Sequence, residues 1–249
     1  HYYNPVGSKA RNCYTGDINV AGGKAAEMVW SGLTSFMTEE QAAGIMGNMA
    51  HESNYFNPVQ HEVGSVGGNG YLGHPNMDLV NDSTVNGYGI GLLQWSYHTR
   101  RQGFMKYIQS KNSNLLEYFF NRETYSVGYT IDGDKFIELA GEDVARELIA
   151  LELEYVKYEL ENEYLGFYST TTVDEAAQWI FTNYEGPRDN TLSTRTATAH
   201  TYYDQFKGKI FTNPGSSSTT EEDGSNVVII GDSITVGAEA EIRKLLPEV

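Results

Sequence analysis

The sequence predicts a mainly α-helical domain with a loop-rich lobe over a cleft, tethered to the opening of an α/β domain. Three observations carry this expectation. Apolar residues recur at helical spacing in segment after segment between residues 24 and 206. Residues 59–86 break that pattern, being rich in Gly, Asn, Asp, Ser and His without a convincing helix. Residues 212–225 then contain no apolar side chain, and Val227-Val228-Ile229-Ile230 follows as a short apolar strand.

The elements follow in order. Residues 1–23 carry Pro5, Gly7, Gly16 and Gly22 without periodicity and read as a loose lead-in. Residues 24–36 read as a helix with Ala26, Val29, Trp30 and Leu33 on one face. Thr38 and Gln41 have the spacing of a capping box, so the next helix starts near Glu39. Ala42, Ile45, Met46 and Met49 form its apolar stripe, and Glu52 falls at the end of the same stripe.

The segment 59–86 is long for a connection, and loops of that length are usually functional or disordered. We expect it to form the lobe, with short β-hairpins in it. Helices are expected over 99–110 and 114–121, then a polar segment with Gly128 and Gly133 that suits a turn or hairpin. Residues 142–165 form a long amphipathic helix on Val144, Leu148, Leu151, Tyr155 and Tyr158, with its acids on a solvated face. Thr172 and Glu175 make a second capping box, and a last helix runs over 193–206. The main domain thus spans 24–211, a flexible linker 212–225, and the truncated α/β start 226–249.

Composition narrows the function classes. Thirty-three acidic against seventeen basic residues give a formal charge of −16, which argues against nucleic acid or an anionic lipid surface as partner. No run of eighteen apolar residues is present to span a membrane. The single cysteine, Cys13, can form neither an internal disulfide nor a cysteine-rich metal site. The chain opens at His1 and reads as a trimmed product, so the lack of a signal peptide says nothing about secretion.

Glu52 is the residue on which chemistry is expected to turn. Apolar surroundings and the negative end of the helix dipole both favour a protonated carboxyl, which can donate to a leaving oxygen. The alternative is a solvated side chain beyond the helix end. The nearest candidates for a second carboxylate are Glu62, Asp78 and Asp82 in the lobe, and Glu185 further on. In Gly87-Tyr88-Gly89-Ile90-Gly91-Leu92-Leu93-Gln94-Trp95, alternate glycines permit close backbone approach and leave Gln94 and Trp95 as a hydrogen-bonding and stacking pair. His51-Glu52 with His61 and His74 raises zinc hydrolysis, but the zincin pattern needs a histidine where Tyr55 stands. No metal or cofactor is called for.

The order Gly44-Ile45-Met46-Gly47-Asn48, Glu52-Ser53, Asn57-Pro58, then Gly89-Ile90-Gly91-Leu92-Leu93-Gln94-Trp95 resembles the lysozyme-like superfamily, and most closely phage tail lysozyme domains. Goose-type lysozymes and soluble lytic transglycosylases share the Glu-Ser pair and a Gly-Leu-Met-Gln element. The resemblance implies a lysozyme-like fold and a peptidoglycan glycan strand as partner. It makes Glu52 the catalytic acid, with Ser53, Tyr88, Gln94, Trp95 and Tyr184 about the saccharide. It implies a muramidase or a lytic transglycosylase, secreted or wall-associated or carried on a phage tail. The rival class is a silent wall-binding module.

A third transglycosylase motif would align Tyr184 and Glu185 ahead of Gly186-Pro187, but with Tyr and Asn in swapped order. Glu185 is left either as a second carboxylate or as a buried ion-pair partner. The tail Val227-Val228-Ile229-Ile230-Gly231-Asp232-Ser233 resembles the first block of an SGNH/GDSL hydrolase, which would make Ser233 a nucleophile whose general base is absent. The net negative charge sits awkwardly with a substrate that carries anionic wall polymers.

Overall fold

The computed structural model describes residues 12–14, 22–62, 65–66, 69–70, 76–84, 88–186 and 190–211, all within a unit that ends at Thr212. The tether over 212–225, the α/β start over 226–249 and Ser233 lie outside the described residues.

The lead-in is not wholly loose. Strand β1 (Asn12–Tyr14) pairs in parallel with a strand from the other end of the domain, Cys13 standing opposite Ile210. Helix α1 (Gly23–Leu33) follows, and α2 (Glu39–Glu52) starts where its capping box predicts, with Thr38 and Gln41 bonding each other's backbone N–H. Burial of α2 goes beyond one stripe: every residue from Gln41 to Ala50 is buried. That is the pattern of a central helix rather than a surface one.

The described part of the lobe holds a minimal antiparallel pair, β2 (Ser65–Val66) with β3 (Asn69–Gly70), as expected, and a short helix that was not, α3 (Met77–Asn81). Next come α4 (His98–Lys111), a single 3-10 turn, α5 (Leu116–Phe120) and α6 (Arg122–Tyr125). The segment expected to form a turn or hairpin contains helix α7 (Gly133–Ala140) instead. Its N-cap Asp132 accepts from Lys135 N at 2.8 Å.

Helix α8 (Glu142–Asn162) is long, about 30 Å at 1.5 Å per residue. The expectation that its acids face solvent fails at two positions: Glu152 and Glu159 are both 0% exposed. Helix α9 (Val173–Trp179) carries its predicted capping box and runs on as a π-helical segment, Ile180–Glu185. Helix α10 (Leu192–Phe206) and strand β4 (Lys209–Phe211), the partner of β1, close the domain.

Helix α2 is sandwiched against α9 and α10, and two glycines set the distance. A Cβ on Gly44 would lie 2.6 Å from Ala177 N, and one on Gly47 2.3 Å from the Arg195 carbonyl oxygen. The backbones therefore meet closer than any side chain allows. The protein is mainly helical, and no helix among the described residues is long and apolar enough to cross a membrane.

Candidate active site

Glu52 is the last residue of α2, and the chain after it makes an unusual exit. Asn54, Tyr55 and Phe56 all have positive φ, at 50°, 56° and 73°. Non-glycine residues seldom adopt that conformation, least of all three together. Ser53 holds the turn: its hydroxyl donates to Met49 O (2.6 Å) and accepts from Phe56 N (3.1 Å). Asn57 finishes it by accepting from Val59 N and donating to the carbonyls of Tyr125 and Ile131. This gives the Glu-Ser pair a physical reason. Ser53 is 0% exposed and shapes the end of the helix, so it cannot contact a saccharide as the sequence suggested.

The surroundings of Glu52 also differ from the apolar pocket expected. Its side chain is 18% exposed, and its Oε1 lies 2.5 Å from Nη1 of Arg195, a side chain only 1% exposed. Arg195 is fixed by two further bonds, to Thr191 Oγ1 (2.8 Å) and Asn48 Oδ1 (3.3 Å). Asn48 in turn donates to Gly44 O and Ala177 O. A cation from α10 is thereby aimed at the end of α2.

Two more carboxyls feel the charge of Glu52. Glu62 is partly buried, and burial raises its carboxyl above the usual range; the Gly89 N–H opposes that rise at 2.8 Å, and Glu52 adds to it. Glu185, at the end of the π-helical segment, is raised much further, first by burial and then by Glu52. Its Oε1 is closed to solvent and has no hydrogen-bond partner. Asp78 and Asp82 do not join them. Both are exposed, and Asp82 accepts from Thr84 N (2.8 Å) in a turn of its own.

The glycine-rich segment is fastened to the residues that follow Glu52. His61 bridges Ile90, Gly91 N donates to Gln60 O, and Glu62 N donates to Gly89 O. Gln94, at φ 47°, spends its amide nitrogen on Gln60 O (2.9 Å) and Gly91 O (3.0 Å) while staying partly exposed. Gly91 is needed here: its φ is 82°, and a Cβ would lie 2.8 Å from Glu152 Oε2, which accepts from Leu92 N.

Tyr88, Trp95 and Tyr184, all expected at the saccharide, are instead buried at 1%, 0% and 3% exposure. Tyr88 OH meets His61 Nδ1 at 2.5 Å, while His61 Nε2 meets Phe119 O. Burial lowers the His61 pKa to about 4, so the ring is neutral. A carbonyl can only accept, so Nε2 carries the proton and Nδ1 accepts from the tyrosine. Trp95 stacks on Phe104 and donates to Glu159 Oε2 at 2.8 Å. Glu159 also takes the Tyr184 hydroxyl and both Nε and Nη2 of Arg100, at 3.0 and 3.1 Å.

Sequence reasoning missed Arg195, Glu159 and Tyr129, the last of which carries an exposed ring on a loop whose backbone Asn54 holds just after Glu52. Arg195 did leave a signal, since it lies four and seven residues before the inward-facing Ala199 and Tyr202. A cation on an apolar stripe needs a buried partner. No group of three His, Cys, Asp or Glu among the described residues is placed to hold a metal.

A carboxylate at a helix end, paired with a fixed arginine and flanked by two further carboxyls, is equipped for proton transfer to and from an oxygen substrate. No curated protein matches the chain. The family model for phage tail lysozyme matches residues 24–206, from α1 through α10 and across every residue of the cluster. The chain belongs to the phage tail lysozyme family, with that family's peptidoglycan-lytic, lysozyme-like function.

Proposed function

We propose that the chain hydrolyses the β-1,4 bond between N-acetylmuramic acid and N-acetylglucosamine, with Glu52 as general acid and Glu62 as general base. The observation that carries this reading is the trio of carboxyls at the end of α2, in which Glu52 is joined to the buried Arg195 guanidinium. Glu52 gives its proton to the glycosidic oxygen as an oxocarbenium-like transition state develops. The carboxylate left behind faces Arg195, which stays anchored through Asn48 and Thr191 whatever the state of Glu52.

Glu62 suits the base better than Glu185 does. A base must be able to ionise; burial raises the Glu62 carboxyl, but the Gly89 N–H bonds its charged form and opposes that rise, whereas no hydrogen bond does so at Glu185 Oε1. Burial and the charge of Glu52 raise the Glu185 carboxyl further, and its Oε1 is closed to solvent with no hydrogen-bond partner to offset that rise. Water activated by Glu62 then attacks the anomeric carbon and leaves a reducing end. A second reading draws support from the same rise at Glu185, which disfavours it as a base: Glu52 acts alone and draws the muramoyl 6-hydroxyl onto the anomeric carbon. That route is a lytic transglycosylase reaction and yields a 1,6-anhydro end.

Mass spectrometry of fragments released from purified peptidoglycan separates these readings. Reducing-end muropeptides from the parent chain, lost in a folded Glu52→Gln variant, are the expected result. Anhydro ends select the transglycosylase, and no fragments at all select a wall-binding module. Retained cleavage by Glu52→Gln removes Glu52 as the acid. For the tail we propose the opening of an SGNH/GDSL hydrolase domain, with Ser233 at its nucleophile position and no part in the wall cleavage.

A further inference from the structure

Residues 126–132, between α6 and α7, have no regular secondary structure yet are held at almost every position. Ser126 Oγ accepts from His61 N at 2.7 Å, and Gln60 Nε2 donates to Gly128 O at 2.8 Å. Asn54 Nδ2 donates to Tyr129 O at 2.9 Å, and Asn57 Nδ2 donates to Ile131 O at 3.0 Å. Gly133 N closes the set on Tyr55 O at 3.0 Å. Every one of these partners lies within ten residues after Glu52, so the loop is registered against the segment that leaves the candidate acid.

At the tip of this fixed loop stands Tyr129, 56% exposed. Burial first, and then the charges of Glu52 and Glu62, raise its hydroxyl above the ordinary tyrosine value. A rigid exposed ring at a site of acid–base chemistry has a large apolar face and loses little entropy when covered. A pyranose presents a matching face of C–H groups with polar groups around its rim.

We propose that Tyr129 is the stacking platform for an N-acetylhexosamine ring next to the scissile bond. This rests on the glycan-cleaving reading above and adds the residue that binds the sugar. Tyr129 takes the place that the sequence gave to Trp95, whose ring is sealed in the core. The backbone carbonyl of Tyr129, not its side chain, is what Asn54 holds, so removing the ring leaves the loop's fastenings in place.

The test measures binding apart from cleavage. Glu52→Gln protein is co-sedimented with purified peptidoglycan stripped of its anionic polymers, and the fraction bound is titrated. Adding Tyr129→Ala should weaken binding about tenfold, the factor that 1.4 kcal/mol of lost contact produces. Tyr129→Trp should stay within about twofold of its parent, as should Tyr158→Ala, which removes an equally exposed ring on α8. In the active chain, Tyr129→Ala should raise KM and leave kcat nearly unchanged, because a platform holds ground and transition states alike.

Binding by Tyr129→Ala within twofold of its parent overturns the proposal, and intact cleavage by the parent chain would leave the glycosidase reading standing. An equal loss in Tyr158→Ala also overturns it, since any exposed tyrosine would then serve. Failure of the parent chain both to bind and to cleave overturns the proposal together with the reading beneath it.

Discussion

Glu159→Gln removes the charge on which three parts of the protein converge. The parent carboxylate is 0% exposed and accepts from Trp95 Nε1, from Arg100 Nε and Nη2, and from the Tyr184 hydroxyl. A glutamine keeps the volume but presents an NH2 where one oxygen accepted, so at least one donor faces a donor. Breaking a buried ion pair by neutralising one partner costs about 3–5 kcal/mol. The Arg100 side chain retains 18% exposure and some access to water, so the lower end applies, about 3 kcal/mol. For a domain of this size each kcal/mol moves Tm by about 2–4 °C, so a fall of about 6–12 °C is expected. Urea and thermal unfolding measure it, and a double-mutant cycle with Arg100→Met should give a coupling of about 2 kcal/mol. A Glu159→Gln protein within about 1 kcal/mol of the parent, or a coupling near zero, would refute the hub.

Two further outcomes follow from the packing and the buried acids. Gly47→Ala ordinarily gains up to about 1 kcal/mol of helix propensity, but here the new Cβ meets the Arg195 carbonyl at 2.3 Å, and overpacking of about 1–3 kcal/mol wins. Urea midpoints check this, and a variant as stable as the parent would show that α10 can retreat freely. Glu152, 0% exposed, has its carboxyl raised well above the usual range by burial, with only the Leu92 N–H opposing. The folded chain thus keeps a proton that the unfolded chain releases at the ordinary carboxylate pKa. The stability this provides is complete below that pKa and is lost as pH rises through the folded value. Glu152→Gln should flatten that part of the stability–pH curve, and an unchanged slope would assign it to other groups.

What was legible in the sequence was local. Both capping boxes tie residues three apart, so Thr38 with Gln41 and Thr172 with Glu175 placed their helix starts correctly. Helix α7 also had a local signal in Asp132, but Gly128 and Gly133 read as breakers. Gly133 sits where a Cβ would lie 2.5 Å from that of Ala25, a constraint set by another helix and invisible along the chain. Glu152 and Glu159 look like their solvated neighbours on α8, because the groups that bury them come from about sixty residues upstream. The aromatic candidates failed for a related reason. The motifs offer Trp95 and Tyr184 as rings able to meet a sugar, yet only the packing decides which ring stays outside.

The spacing of the first motif is a record of packing as much as of chemistry. Gly44 lets α9 come close, and Gly47 does the same for α10. Asn48 sits between them and bonds both, through Ala177 O and the Arg195 guanidinium. One turn further on, Glu52 meets the same guanidinium. Arg195 reaches the carboxylate because its own backbone rests against a residue with no side chain, so the glycine and the ion pair depend on each other. In a chain with a formal charge of −16, three neighbouring carboxyls need a cation that cannot drift away. A lysine on a mobile surface loop would supply the charge without the position; a buried arginine on α10 supplies both, provided position 47 stays a glycine.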